Sequence, residues 1–66
     1  MEFIDILNEI MIEQGLNQTA LAKKLGLKQS QISEWLSGKS LPGYHNLKLL
    51  CQELSVSASR ILGIEE

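Results

Sequence analysis

The 66-residue sequence has one cysteine, one histidine and one proline, and a single copy each of Trp, Tyr and Phe. One thiol cannot close an internal disulfide, and with one imidazole it cannot supply the ligand set of a structural zinc site. Both usual staples of a small fold are excluded, and no metal or cofactor site is expected. No apolar run approaches the roughly 18 residues that read as a membrane-spanning helix. The N-terminus carries acid where a signal peptide carries base. These absences predict a soluble, cytoplasmic chain. A chain this short makes one domain, residues 1–66, and buries only about 60% of the surface its unfolded form exposes. Such a domain has no room for a catalytic cleft walled by two layers. His45 and Cys51 fall about two turns apart on one predicted helix, and Cys51 belongs to its apolar stripe. An enzyme is therefore not expected, and function must sit on the surface.

What the sequence does have is 44% hydrophobic residues, enough for an apolar core without staples. Its net charge of −2 argues, at face value, against a nucleic-acid partner. The charge is segregated, however. Residues 1–16 hold Glu2, Asp5, Glu9 and Glu13 with no base, a sum of −4. Residues 17–48 hold Lys23, Lys24, Lys28, Lys39 and Lys48 against Glu34 alone, a sum of +4. Residues 49–66 hold Glu53, Glu65 and Glu66 against Arg60, a sum of −2. A basic middle lies between two acidic ends.

Glycines at 15, 26, 38 and 63 and the Pro42-Gly43 pair punctuate the chain at short intervals. Between them apolar residues recur at spacings of three and four, the period of amphipathic helices. Phe3, Leu7, Ile10 and Met11 stripe a first helix over about residues 2–14. Leu21, Ala22 and Leu25 stripe a second, with Asn17 as its N-cap. Ile32, Trp35 and Leu36 stripe a third from about Gln29 to Ser37, and Leu47, Leu50, Cys51 and Leu54 a fourth. Ser57 caps a last turn or two carrying Ile61 and Leu62, and Gly63 suits the left-handed residue that ends it. The predicted fold is all-α, a compact globule of five crossed helices.

Helices two and three are joined by Gly26-Leu27-Lys28, too short a turn for side-by-side antiparallel packing. A glycine at positive φ makes two such helices cross steeply, and the small Ala22 lets the third approach the second closely. This is a helix-turn-helix arrangement, spanning about residues 17–37, in which the second helix of the pair lies in the DNA major groove. The stretch Leu16–Lys39, LNQTALAKKLGLKQSQISEWLSGK, resembles the phage-repressor and Cro-like (XRE-type) helix-turn-helix family of transcriptional regulators. The likeness continues at the family's spacing through Pro42, Leu47, Leu50, Cys51, Leu54 and Ile61-Leu62-Gly63, over about residues 4–63. It implies a lambda-repressor-like DNA-binding domain.

Two departures stand out. Many relatives tie the first helix to the end of the third with a buried Arg–Glu pair, and the matching positions here are Met11 and Leu36. Exchanging both charges for apolar groups is often neutral or stabilising, since desolvating an ion pair can cost more than its attraction returns. Relatives also favour acid near the start of the last helix, where this chain has Arg60, a cation set against the helix dipole.

At 100° per residue, Ile32, Trp35 and Leu36 share one side of helix three, while Ser30, Ser33, Glu34 and Ser37 take the other. Trp35 is thus a core residue rather than a stacking platform, and Cys51 a packing residue rather than a redox sensor. Gln29, at the tip that enters the groove, is the first candidate for base reading, because Gln can bond adenine through N6 and N7 together. Ser30 and Ser33 follow. Glu34 has two readings, acceptor to cytosine N4 or partner of a nearby lysine holding the helix in place. Gln18, in the first turn of helix two, is placed to meet a phosphate, as helix N-termini do. The resemblance implies phosphate contacts from Asn17, Lys28, Lys39 and Ser40, and Gln31 on the flank joins them. Lys23 and Lys24 add a general field, His45 reads as a plain surface histidine, and Tyr44 as the edge of the core with a free hydroxyl.

These residues predict a sequence-specific regulator of transcription, a repressor that binds double-stranded DNA. One helix reads few bases, so a homodimer on a palindromic operator is expected, with Ile61 and Ile64 as candidate contacts. The rival reading is an antitoxin-like module whose acidic first helix binds a protein partner.

Overall fold

The computed structural model describes residues 2–64, and Glu65 and Glu66 of the acidic tail lie outside the described residues. Five helices form, with no strand among those residues: α1 (Phe3–Gln14), α2 (Gln18–Leu25), α3 (Gln29–Ser37), α4 (Tyr44–Leu54) and α5 (Ala58–Ile61). All follow from the apolar period, α1 starting one residue later than expected and α5 making a single turn.

The caps fix where each helix stops. Asn17 accepts the Ala20 N–H at 2.8 Å and Ser57 accepts that of Arg60 at 3.1 Å, each satisfying an otherwise orphaned donor. At the far ends a left-handed residue reverses the chain, and the following N–H returns to the helix: Leu16 to Met11 O at 2.8 Å, Leu27 to Ala22 O at 2.9 Å, Val56 to Cys51 O at 3.1 Å. Leu16, Leu27 and Val56 then pack against the core, so each reversal also seeds tertiary structure. Gly26 is the left-handed residue of the α2–α3 turn, at φ 70°. The same role at the end of α4 falls to Ser55, at φ 55°, the one non-glycine with positive φ among the described residues.

Twelve apolar side chains make the core: Ile6, Leu7, Ile10 and Met11 of α1, Leu21, Ala22 and Leu25 of α2, Ile32 and Trp35 of α3, Leu50 and Leu54 of α4, and Ile61 of α5. Trp35 is 1% exposed, the largest side chain fully buried there. Met11 and the half-buried Leu36 both join this apolar cluster, as their pairing by sequence implied. Among the described residues no polar or charged side chain is fully buried.

Arg60 resolves the second departure. It reaches back to α1, its Nη2 lying 2.6 Å from Glu13 Oε2 and 3.3 Å from Glu9 Oε1. The hydrogen bond to Glu13 is the main reason its pKa is raised above the ordinary arginine value. The cation thus ties α5 to α1 instead of merely opposing a one-turn dipole. Gln14 adds a second tie, its Nε2 donating to the Leu54 carbonyl at 2.7 Å, so that α1 caps the end of α4.

Candidate nucleic-acid interface

α2 and α3 share the most extensive contact of any two elements, and α3 packs also against α1. With Ile32 and Trp35 turned inward, α3 is left open along its outer side. Gln29, Ser30, Ser33 and Ser37 are all exposed there, none committed to a hydrogen bond beyond its own helix turn. Lys28 occupies the N-cap position of α3 without a side-chain cap, which leaves its ammonium exposed at the tip. The arrangement is a polar ridge on a rigid apolar base, and it presents amide and hydroxyl groups suited to base edges.

Beside this ridge lies a cleft of about 290 Å³ between α3 and the loop leading to α4. It is lined by Lys28, Ser30, Gln31, Glu34, Ser40 and Asn46, with Trp35, Leu41, Pro42 and Gly43 beneath or around them. The cleft brings Lys28, Gln31 and Ser40 together, three of the expected phosphate residues. Gly43 is the N-cap of α4 and supplies no side-chain cap, so the positive end of an 11-residue helix opens at the same place. Asn17 and Gln18 sit apart, at the start of α2. The Asn17 Oδ1 is occupied by capping, so its Nδ2 is the donor left for a ligand. Lys39 is exposed on the loop, and its backbone N–H donates to the Glu34 carbonyl at 3.0 Å.

Glu34 is half-buried at the cleft wall, and its partner is not a lysine. Ser40 Oγ donates to Glu34 Oε1 at 3.4 Å, and the ion pairs among the described residues all belong to Arg60. The Ser40 hydroxyl expected to face a phosphate is therefore already engaged. Asn46, which lines the cleft, was not singled out from sequence, although it stands four residues before the buried Leu50 and so on the flank of the α4 inner face. His45 faces the other way, into a shallow depression with Lys48, Leu49 and Gln52.

Two expectations need correcting. Ile61 is 0% exposed and cannot be a dimer contact, because α5 is one turn long and its single inward position falls there. Tyr44 does not close the core: it is 82% exposed, since the buried Pro42 and half-buried Leu47 already fill that edge.

The model of the family described as "Helix-turn-helix" matches residues 7–61. The chain belongs to the helix-turn-helix family. It is similar, at 35% identity over 66 residues, to the HTH-type transcriptional activator BcrR of Enterococcus faecalis. The match covers 100% of this chain and 32% of that protein, so the chain spans about a third of the relative's length. No solved structure matches. Among the described residues of this helix-turn-helix protein, no group of three or more His, Cys, Asp or Glu is placed to hold a metal, and no helix is long and apolar enough to cross a membrane.

Proposed function

We propose that the chain is a sequence-specific, double-stranded-DNA-binding regulator of transcription that inserts α3 into the major groove. The observation carrying this reading is the α3 ridge: in a helix-turn-helix protein, the second helix presents Gln29, Ser30 and Ser33, polar and exposed, on the side opposite the buried Ile32 and Trp35. Gln29, Ser30 and Ser33 read base edges. Lys28, Gln31 and Asn46 at the cleft, Asn17 and Gln18 at the start of α2, and Lys39 on the loop hold phosphates. Occupying an operator in the cytoplasm is enough for repression, which is the reading we adopt. The name of the relative favours activation, and a reporter gene bearing the selected site, with and without the protein, separates the two by the sign of its response.

The protein binds as a homodimer. Leu41, Tyr44, Leu62 and Ile64 are exposed apolar residues, Ile64 at 72%, and Tyr44 and Leu62 flank a hollow lined also by Leu47, Lys48, Cys51 and Ala58. One patch thus supplies both ridges and hollow, as a self-complementary two-fold contact requires. Leu41 and Pro42 line both the cleft at α3 and a neighbouring apolar depression with Leu47 and Leu62, so this surface reaches the edge of the α3 cleft. An antitoxin-like role for the α1 acids is less well supported, since Glu9 and Glu13 already hold Arg60.

Selection of bound sequences from random DNA at two salt concentrations tests the reading. The expected result is a palindrome with half-sites about one helical turn apart. Failure to enrich any sequence would overturn it. Sedimentation of the Tyr44→Glu and Leu62→Glu variants with operator DNA is expected to show one copy per half-site without cooperative pairing.

A further inference from the structure

α5 is a single turn, Ala58–Ile61, and a helix that short has no stability of its own in water. Its place must come from what holds it. Ile61 is fully buried and fastens the turn to the core, and the half-buried Val56 does the same just before it. Such apolar contacts are non-directional, so they fix how deep the turn sits and leave its roll weakly defined. The directional contact is that of Arg60. One nitrogen, Nη2, donates to Glu13 Oε2 at 2.6 Å and to Glu9 Oε1 at 3.3 Å. Those carboxylates stand one turn apart on α1, where two acids alone would repel. Charge-assisted hydrogen bonds to a neighbouring helix set an angle as well as a distance.

What Arg60 orients lies on the other side of the turn. At 3.6 residues per turn, Ala58 and Leu62 share the face opposite Arg60, and both line the hollow with Tyr44, Leu47, Lys48 and Cys51 of α4. Arg60 itself does not line it. Leu62 and Ile64 move as one piece with the turn, because the Leu62 N–H donates to the Ala58 carbonyl and the Ile64 N–H to that of Ser59, both at 3.0 Å. A change in the roll of α5 therefore draws Ala58 away from the hollow and shifts the exposed Leu62 and Ile64 together.

We infer that Arg60 is a positioning residue for self-association: by clamping α5 to Glu9 and Glu13 of α1, it presents Ala58, Leu62 and Ile64 to a second copy of the chain. The inference rests on the homodimer reading and deepens it, because it makes pairing depend on an ion pair remote from the contact. Both carboxylates are exposed and Arg60 is only half-buried, so salt screens the clamp. Pairing is thereby tuned by ionic strength from the acidic side of the molecule, away from the residues assigned to DNA.

Sedimentation of the full chain, alone and with the selected DNA, tests this in Arg60→Ala, in Arg60→Glu, and in Arg60→Glu combined with Glu13→Arg, each checked by thermal melting. Runs at about 0.1 M and about 1 M salt span screening lengths of about 10 Å and about 3 Å. At the lower salt Arg60→Ala should pair about two-fold to five-fold less tightly than the parent, the range of an exposed ion pair, and the gap should close at the higher. Taking the ratio to the parent at each salt removes the effect of salt on the rest of the contact. Arg60→Glu should pair less tightly still, and the double variant should recover, since it rebuilds the clamp with its charges exchanged. Alkylation of Cys51, the only thiol, gives a second readout that needs no pairing. It lies in the hollow beside Ala58 and Leu62, so at dilutions where the parent is single it should react faster in Arg60→Ala. If the parent pairs and Arg60→Ala pairs equally well, or shows the same deficit at both salts, the inference is overturned. An unchanged rate at Cys51, or a double variant that keeps the full deficit, overturns it too. A parent that stays single on the selected palindrome overturns the homodimer reading, and the inference with it.

Discussion

Replacing Gly26 by alanine isolates a single energetic quantity, because a Cβ built there meets nothing within 4 Å. The perturbation is then purely conformational: an L-residue is held at φ 70°, in the left-handed region. That region costs an L-residue about 1–2 kcal/mol, offset in part by the alanine chain having less freedom to lose on folding. The net destabilisation should be about 1 kcal/mol, or roughly 4–8 °C in melting temperature for a domain of this size. Gly38 gives a graded comparison, since its Cβ would lie 3.3 Å from Ile4 Cδ1, the mobile end of a side chain. Gly38→Ala should cost a few tenths of a kcal/mol more than Gly26→Ala. Ser55 offers the opposite sign, for it already sits at φ 55° and Ser55→Gly relieves the same strain, with an expected gain of up to about 1 kcal/mol. Urea titration followed by circular dichroism at 25 °C measures all three. If Gly26→Ala and Ser55→Gly shift the midpoint in the same direction, left-handed strain is not what governs these helix ends.

Trp35→Ala removes the largest buried side chain and should cost about 3–5 kcal/mol, comparable with the whole stability of so small a domain, so circular dichroism should show it largely unfolded. Gln14→Ala removes the donor to the Leu54 carbonyl and should cost about 1 kcal/mol in the same assay, with no change in the base preference. With three or four phosphates neutralised per subunit, log K should fall with log salt at a slope of about −3 per subunit, and Lys28→Ala or Lys39→Ala should each make it shallower by about one. A flat salt dependence would dismiss the phosphate contacts. Gln29→Ala should relax selection at one base pair by about five-fold to 150-fold while leaving that slope unchanged.

The helices were legible because the signals that make them are local. A period of three and four, an N-cap acceptor before α2 and α5 and a glycine after α1, α2 and α3 need no knowledge of the rest of the chain. The inward phase of Trp35 and the outward phase of Gln29 and Ser33 follow from the same period. What sequence does not carry is which residues meet across long separations. Arg60 reads as a cation in the wrong part of a dipole until the fold brings Glu9 and Glu13 beside it. Ile61 is buried and Tyr44 exposed, the reverse of their expected places, because which side chain closes a core edge is settled by packing between distant elements. The setting of Ser40 is hidden from sequence for a similar reason. Its hydroxyl is brought to 3.4 Å from Glu34 Oε1 by a loop whose Lys39 and Ser40 N–H groups both return to the Glu34 carbonyl, and no period encodes that path.

The acidic character that first argued against DNA takes on a different role once the charges have places. Glu9 and Glu13 are drawn together by Arg60 on the α1–α5 side, whereas Lys28 stands at the tip of α3 and Lys39 on the loop after it. A duplex is attracted to one side of such a molecule and repelled by the other, so encounters in the wrong orientation dissociate without forming contacts. On the DNA-binding reading the expected cost is general affinity, and with it the long residence on unrelated DNA that a uniformly basic domain suffers.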